Sequence, residues 1–166
     1  MGLPGQHSSL VGHKSDQAER SSSFNRDARP RRRIFENMRL LTHNLLVCNR
    51  KQCNGGYPFQ VVPVDADIEK PSTSIIESEF NPDFIRAMLS KIEWDVLVET
   101  AGSLGLNILP PSYEETDLSD VNFLKAVHDV ISDFHINEAE LVCSKCSRRF
   151  PISKGIPNML LQPDEI

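Results

Sequence analysis

The chain has 166 residues, of which 39% are hydrophobic and 25% charged, and its formal net charge is −5. This length suits one domain or two small ones. Residues 1–37 carry a net charge of +3 and the remainder one of −8. An acidic body is a poor autonomous binder of nucleic acid, because Lys and Arg contacts to phosphate supply most non-specific affinity. The sequence has no apolar run of about 18 residues and no secretory signal, so we expect no membrane span and reduced thiols.

The first 37 residues are rich in Ser, Arg, Gly and Pro and show no apolar period. This composition predicts a disordered leader. The run Pro30–Arg33 is compatible with a nuclear import or RNA-contact patch, but a solvated basic tail is the favoured interpretation. Four acidic residues in the leader disfavour a mitochondrial transit peptide. Ordered structure is predicted to begin at Met38.

Two strands and a loop are predicted next along the chain. Arg39–Val47 is rich in leucine and is interpreted as a strand, and Phe59–Val64 has the β-branched, apolar content of a second. Asn54–Gly56 between them is a strong turn signal. Asp65–Glu77 is polar and contains Pro71, which predicts a loop.

The middle of the chain predicts three helices. Asn81 can cap the first, with Pro82 at its first position. The second has apolar residues at helical spacing from Trp94 to Ala101. A third begins after Ser119 or Asp120, and its predicted buried side comprises Val121, Leu124, Ile131 and Phe134. His128 lies in this helix and is interpreted as a packing or surface residue, since a lone histidine seldom holds a metal.

The last segment returns to β character. Glu140–Val142 and Arg149–Ile152 predict a hairpin that carries Cys143 and Cys146 at its turn. Beyond it, a turn and the apolar segment Ile156–Leu161 end the ordered region.

The four cysteines form two pairs, Cys48-x4-Cys53 and Cys143-x2-Cys146, separated by 89 residues. Together they supply a complete tetrahedral thiolate set for structural zinc. With all four positions filled by protein, such a site leaves no place for water or substrate. A disulfide pairing is the alternative, disfavoured because no secretory context is evident.

Catalytic motifs are absent from the sequence. No His-x-Glu element precedes the Cys143-x2-Cys146 pair, as a zinc deaminase requires. Neither His-Glu-x-x-His nor the glycine loops that bind phosphates or dinucleotides occur. The carboxylates are scattered and predict an acidic, solvated surface. We therefore expect no intrinsic enzymatic activity.

Five fragments, in this order, resemble the eukaryotic methyltransferase activator subunit family over residues 38–164. They are Met38–Leu46, the Cys48/Cys53 pair, Glu79–Phe84, Ile92–Trp94 and Lys154–Leu161. The resemblance implies an α+β fold in which both chain ends, residues 38–75 and 137–166, form a zinc-ribbon-like antiparallel β domain. A small helical domain, residues 76–136, is inserted between them. The resemblance also implies that the metal ligands are Cys48, Cys53, Cys143 and Cys146.

The same resemblance implies a non-catalytic subunit that binds, stabilises and activates S-adenosylmethionine-dependent methyltransferases. Their substrates are tRNA, ribosomal RNA of the small subunit and a translation termination factor, which links the family to ribosome biogenesis. Each partner is expected to form its own heterodimer to the exclusion of the others, in cytoplasm and nucleus. RNA is contacted only through the partner, and no membrane is involved.

In this family the subunit binds its partners through an extended strand and apolar side chains. The apolar segment Ile156–Leu161 is therefore the main candidate for the partner surface. The residues predicted to form the partner surface are Ile156, Asn158, Met159 and Leu160, with Phe80 and Leu40 as weaker candidates. The alternative is that these residues belong to the core. A stand-alone zinc ribbon that binds nucleic acid is the competing function; the leader favours it and the acidic body opposes it.

Overall fold

The computed structural model describes residues 37–65, 67–163 and 165. The predicted disordered leader, with its Pro30–Arg33 run, lies outside this part of the chain except for Asn37. The described residues form an α+β fold around a curled antiparallel sheet, as predicted. Within them, no helix is both long and apolar enough to cross a membrane.

The sheet has six strands and the chain has four α-helices within the described residues. The strands are β1 (Met38–Arg39), β2 (Phe59–Val62), β3 (Ser72–Ile75), β4 (Phe134–Cys143), β5 (Arg149–Ser153) and β6 (Ile156–Pro157). The helices are α1 (Leu40–Leu45), α2 (Pro82–Leu89), α3 (Trp94–Ser103) and α4 (Val121–His128).

β4 is the central strand and pairs with four others. In its first half, Ile136 pairs with Met38 of β1 and with Thr73 of β3. In its second half, Leu141 pairs with Val61 of β2 and with Phe150 of β5. Among the described strands, β6 pairs with β5 alone. The N-terminal and C-terminal parts of the described chain therefore meet on one strand.

The start of the ordered chain differs from the predicted strand over Arg39–Val47. Only Met38–Arg39 forms a strand there, and Leu40–Leu45 is helical. The buried residues of this helix are Leu40, His43 and Asn44, at i, i+3 and i+4. These buried residues have helical spacing, but two of the three are polar. The pattern of apolar residues in the sequence therefore does not predict the helix.

Two further predictions are corrected by the structure. The predicted loop Asp65–Glu77 contains strand β3, whose residues are mostly exposed and whose backbone pairs with β4. The third helix ends earlier than predicted: α4 gives way to a π-helical turn at Asp129–Asp133, and Phe134 already starts β4. Val121, predicted to be buried, is exposed in the first turn of α4.

The first predicted helix is confirmed in detail. The Asn81 side chain accepts a hydrogen bond from the backbone N–H of Phe84 at 3.0 Å, and Pro82 occupies the first helical position. Such a cap satisfies one of the orphan donors of the helix and stabilises it by about 1 kcal/mol. The predicted hairpin is confirmed as well, since β4 and β5 pair from Val142 to Ala139.

Buried apolar residues of the helices and of the sheet form one continuous core. Phe59 of β2 and Phe150 of β5 meet edge to face at 5.6 Å between ring centroids. Trp94, Tyr113 and Phe123 form a second aromatic group between the helices. The division into a β domain (38–75 and 137–166) and an inserted helical domain (76–136) stays a prediction.

We expect Cys143→Ser to loosen the strands more than the helices. Cys143 ends β4, so loss of its thiolate from a metal site frees the second half of that strand, whereas α2 and α3 keep their own contacts. Hydrogen exchange is predicted to rise by at least about tenfold in β2 and β5 and to change little in α2. Uniform acceleration in all of these elements would contradict the division into two units.

Candidate metal centre

The first cysteine loop follows α1 and turns sharply back on itself. A short 3₁₀ turn covers Lys51–Cys53, and Asn54 and Gly55 then take left-handed backbone conformations with φ of 53° and 70°. The backbone N–H of Cys48 donates to the carbonyl of Gly56 at 2.9 Å, which closes the loop. Cys48 and Cys53 are both buried as a result.

The second cysteine loop is the turn between β4 and β5. Cys143 is the last residue of β4, and its backbone N–H donates to the carbonyl of Arg148 at 2.9 Å. Ser147, at φ 57°, donates its N–H to the carbonyl of Cys143 at 2.9 Å. Phe59 of β2 pairs with Cys143, so the strand register itself brings the two loops together.

The four sulfur atoms of Cys48, Cys53, Cys143 and Cys146 lie within 4.8 Å of one another. The Sγ atoms of Cys48 and Cys146 are 3.8 Å apart, and those of Cys53 and Cys143 are 3.6 Å apart. Zn–S bonds of about 2.3 Å place the sulfurs of a tetrahedron about 3.8 Å from one another. Disulfide sulfurs lie about 2.05 Å apart, and all four cysteines are free thiols here.

Gly56 leaves the space that such a cluster needs. A Cβ atom at this residue would lie 2.4 Å from the Cys143 sulfur and 2.6 Å from the Cys53 sulfur. Sequence analysis identifies this glycine only as part of a turn. Because it lies against two thiols, the site requires a residue without a side chain here. The conformational freedom of the glycine backbone is not the reason.

The pKa values of the thiols differ because hydrogen bonds offset the effect of burial to a different extent at each sulfur. Burial raises the pKa of Cys48 to about 12, although a hydrogen bond from the Arg50 backbone lowers it in part. Burial also opposes ionisation of Cys146, but the backbone N–H of Arg148 and the neighbouring thiols lower its pKa to about 7. Backbone N–H groups thus point at the sulfurs and favour thiolates, and a divalent cation deprotonates coordinating thiols outright.

The family profile described as "Trm112p-like protein" matches residues 39–155. This chain belongs to that family. A relative from Arabidopsis thaliana named multifunctional methyltransferase subunit TRM112 homolog A is 46% identical over 131 residues, which are 78% of this chain and 100% of the relative.

Two other relatives of this Trm112p-like chain have similar names. The TRM112-like protein of Mus musculus is 38% identical over 129 residues, 77% of this chain and 98% of the relative. The TRM112 subunit of Saccharomyces cerevisiae is 31% identical over 136 residues, 76% of this chain and 98% of the relative. The match spans almost the full length of each relative.

The residues predicted for the partner surface do not all lie in one place. Ile156 and Leu160 are 57% and 77% exposed beside β6, and Asn158 is exposed between them. Met159 is half-buried and packs against the core. Of these four residues of the Trm112p-like chain, Ile156 therefore lies in β6 and the other three lie in the segment that follows it.

The two weaker candidates have other roles. Leu40 is fully buried at the start of α1, so the structure assigns it to the core, and we omit it from the partner surface. Phe80 is half-buried and its ring meets His128 edge to face at 5.5 Å between centroids. This contact identifies His128 as a packing residue, as predicted.

Ser78, His128 and Asp133 form a cluster that could be mistaken for a catalytic triad. The Ser78 hydroxyl donates to Asp133 Oδ1 at 2.6 Å, and His128 Nε2 lies 3.3 Å from both oxygens. In a triad the histidine faces serine and aspartate through different nitrogens. Here Nε2 faces both, and the buried Nδ1 has no partner among the described residues. The cluster is structural: it ties the segment before α2 to the π turn.

His43 holds α1 against the sheet and makes stability depend on pH. Its Nε2–H donates to the Phe59 carbonyl at 2.8 Å, and burial lowers its pKa below the ordinary value of 6.5. The folded chain therefore binds fewer protons than the unfolded chain in this pH range. The stabilisation is complete above about pH 6.5 and declines as the pH falls toward the folded pKa.

We expect His43→Gln to reduce the loss of stability in acid. One such group contributes a slope of up to about 1.4 kcal/mol per pH unit between its two pKa values. The measurement is the free energy of unfolding in urea at several pH values for the variant and the wild type. His135, whose pKa burial also lowers, retains its own contribution in both proteins. Equal slopes for the two proteins would contradict the role of His43.

Proposed function

We propose that this chain is a non-catalytic subunit that binds, stabilises and activates S-adenosylmethionine-dependent methyltransferases. The names of its relatives, which call them multifunctional methyltransferase subunits, support this function. The resemblance extends the proposal to enzymes that act on tRNA, ribosomal RNA and a translation termination factor, in cytoplasm and nucleus.

The observation that carries the proposal is the apolar edge of the sheet at β6. Ile156 and Leu160 expose large apolar side chains at this edge, and β6 pairs on one side only among the described strands. An unpaired edge strand with apolar neighbours is suited to strand addition by a partner. The proposed partner surface therefore consists of Ile156, Asn158, Met159 and Leu160, with Phe80 as a peripheral member.

We propose that Cys48, Cys53, Cys143 and Cys146 hold one structural zinc ion. The spacing of the sulfurs and the space at Gly56 support this assignment. Four thiolates fill the coordination shell, so the ion would contribute folding energy and no chemistry. It would fix the turn between β4 and β5, from which the chain continues through β5 to β6.

Binding at one edge has a consequence for the choice of partner. Methyltransferases that use the same residues cannot be bound together, so one copy of the chain forms one heterodimer at a time. A partner whose apolar face is covered is stabilised by mass action, because the subunit binds its folded form. Activation follows from a larger folded population of the catalytic chain.

Native mass spectrometry of the protein purified from its own cells tests the proposal. We expect one-to-one complexes with methyltransferase-sized chains and one zinc per copy of the subunit. Methyl transfer assayed on the lone chain is expected to stay at background. A zinc-loaded monomer without partners would contradict the subunit function, and a complex with two methyltransferases on one copy would contradict competition for a single surface.

A further inference from the structure

The segment after β6 is attached to the first cysteine loop. We call residues 158–163 the C-terminal segment. The Asn49 side chain, within that loop, donates from Nδ2 to the carbonyl of Met159 at 2.8 Å. The backbone N–H of Asn158 donates to the carbonyl of Pro151 in β5 at 2.9 Å. These two bonds fix the backbone on which Met159 and Leu160 are presented.

Glu165 closes the C-terminal segment over both loops. Its Oε1 lies 2.8 Å from Nε of Arg148 and 3.9 Å from Nε of Arg50. Its Oε2 accepts the backbone N–H of Gln162 at 3.0 Å, and its own N–H donates to the Gln162 carbonyl at 2.9 Å. Arg50 lies between Cys48 and Cys53 in the sequence, and Arg148 follows Cys146.

The burial of this ion group distinguishes it from an ordinary surface pair. The Glu165 side chain is 9% exposed, although it lies one residue from the end of the chain. Carboxylates are almost never buried unless they are paired. The Nε atoms of Arg50 and Arg148 are buried too, and neither makes a hydrogen bond with the described residues, so their contact with Glu165 is ionic. Among the described residues, removal of the carboxylate would leave both cations without a counter-charge.

We propose that Glu165 is a positioning residue that locks the C-terminal segment to both cysteine loops and thereby couples metal binding to the order of the partner surface. The proposal rests on the proposed function for the meaning of that surface, but not for the coupling itself. A segment already held in its bound conformation loses less entropy when a partner docks. Coupling is reciprocal, so what loosens the segment also weakens the hold on the metal.

The coupling is testable on the full chain alone, without a partner. In zinc-loaded Glu165→Gln we expect amide exchange in residues 158–162 to accelerate by at least about tenfold, while α4 is unchanged. Release of zinc to a chromogenic chelator is expected to accelerate by at least about threefold. Neutralising the carboxylate keeps the size of the side chain, so both effects report on its charge.

Glu140→Gln is the matched control. Glu140 pairs with Arg149 across the β4–β5 hairpin, close to the same loops, but its partner is exposed and no residue of the C-terminal segment takes part. We expect exchange in residues 158–162 and zinc release to equal those of the wild type. Arg148→Gln, which removes the closer cation, is expected to reproduce both effects of Glu165→Gln.

Three results would overturn the proposal. The first is unchanged amide exchange in residues 158–162, and the second is unchanged zinc release. The third is an equal acceleration of exchange in α4, which would make Glu165 a general stabiliser of the fold.

Binding of a co-purified methyltransferase to Glu165→Gln separates this inference from the proposed function. Weaker binding, with faster dissociation, supports both. If the wild type binds no methyltransferase, the proposed function is refuted. The amide-exchange and zinc-release results then still test the coupling between the C-terminal segment and the metal site.

Discussion

Gly56→Ala is expected to lose the proposed zinc ion while its helices remain folded. The added methyl group would lie 2.4 Å and 2.6 Å from the sulfurs of Cys143 and Cys53, a separation that Cβ atoms do not tolerate. Both thiols are fixed by strand pairing and by the closed first loop, so neither can move aside cheaply. We expect the affinity for zinc to fall by at least about 100-fold, which corresponds to about 2.8 kcal/mol.

The measurement is competition for zinc with a chelator of known affinity, followed by elemental analysis of the dialysed protein. Gly102→Ala in α3 is the control, because a Cβ there meets only the Asn107 side chain at 3.6 Å. That variant is expected to bind zinc as the wild type does, and alanine also favours the helix. Normal zinc affinity in Gly56→Ala would refute the arrangement of the four sulfurs.

Leu160→Asp is expected to bind a methyltransferase partner more weakly, without loss of fold stability. The Leu160 side chain is 77% exposed, so a carboxylate at this position costs the isolated chain little. In a complex the same carboxylate would be buried in an apolar surface, where an unpaired charge is strongly unfavourable. We expect the affinity for a co-purified methyltransferase to fall by at least about 30-fold, in the range of an interface hot spot.

The experiment compares the equilibrium dissociation constant and the melting temperature of each variant. Ile75→Asp is the control, since Ile75 is 72% exposed on β3, a strand that pairs with β4 and not with β5 or β6. This variant is expected to bind normally. Equal loss in both variants would point to a general effect of charge, and normal binding by Leu160→Asp would remove Leu160 from the partner surface.

The candidate site was more predictable than the fold around it. The two cysteine pairs have the spacing of zinc loops, and their convergence requires only that both chain ends share a sheet. Gly56 and Glu165 could not be recognised from the sequence. The role of Gly56 depends on the sulfur of Cys143, 87 residues further along the chain, and the role of Glu165 depends on two separate loops.

The elements that sequence reasoning missed are those held by distant partners. The Asn44 side chain of α1 donates to the Glu93 carbonyl and accepts the Glu93 N–H, both at 2.9 Å. The local sequence of this leucine-rich segment predicts a strand. A helix forms instead because these two hydrogen bonds and the contact of His43 with Phe59 stabilise it. β3 has little apolar content, and its extended form depends on the backbone of β4. Helix α2, in contrast, carries its own cap and its own apolar stripe.

The position of β4 in the sequence sets the order of events during synthesis. Strands β1, β2 and β3 leave the ribosome before β4, which is the strand with which each of them pairs. Until Phe134–Cys143 emerges, all three present unpaired edges, and such edges invite association with other chains. A nascent chain of this protein therefore depends on its final fifth for solubility, and premature termination before Cys143 yields an aggregating product instead of a shorter subunit.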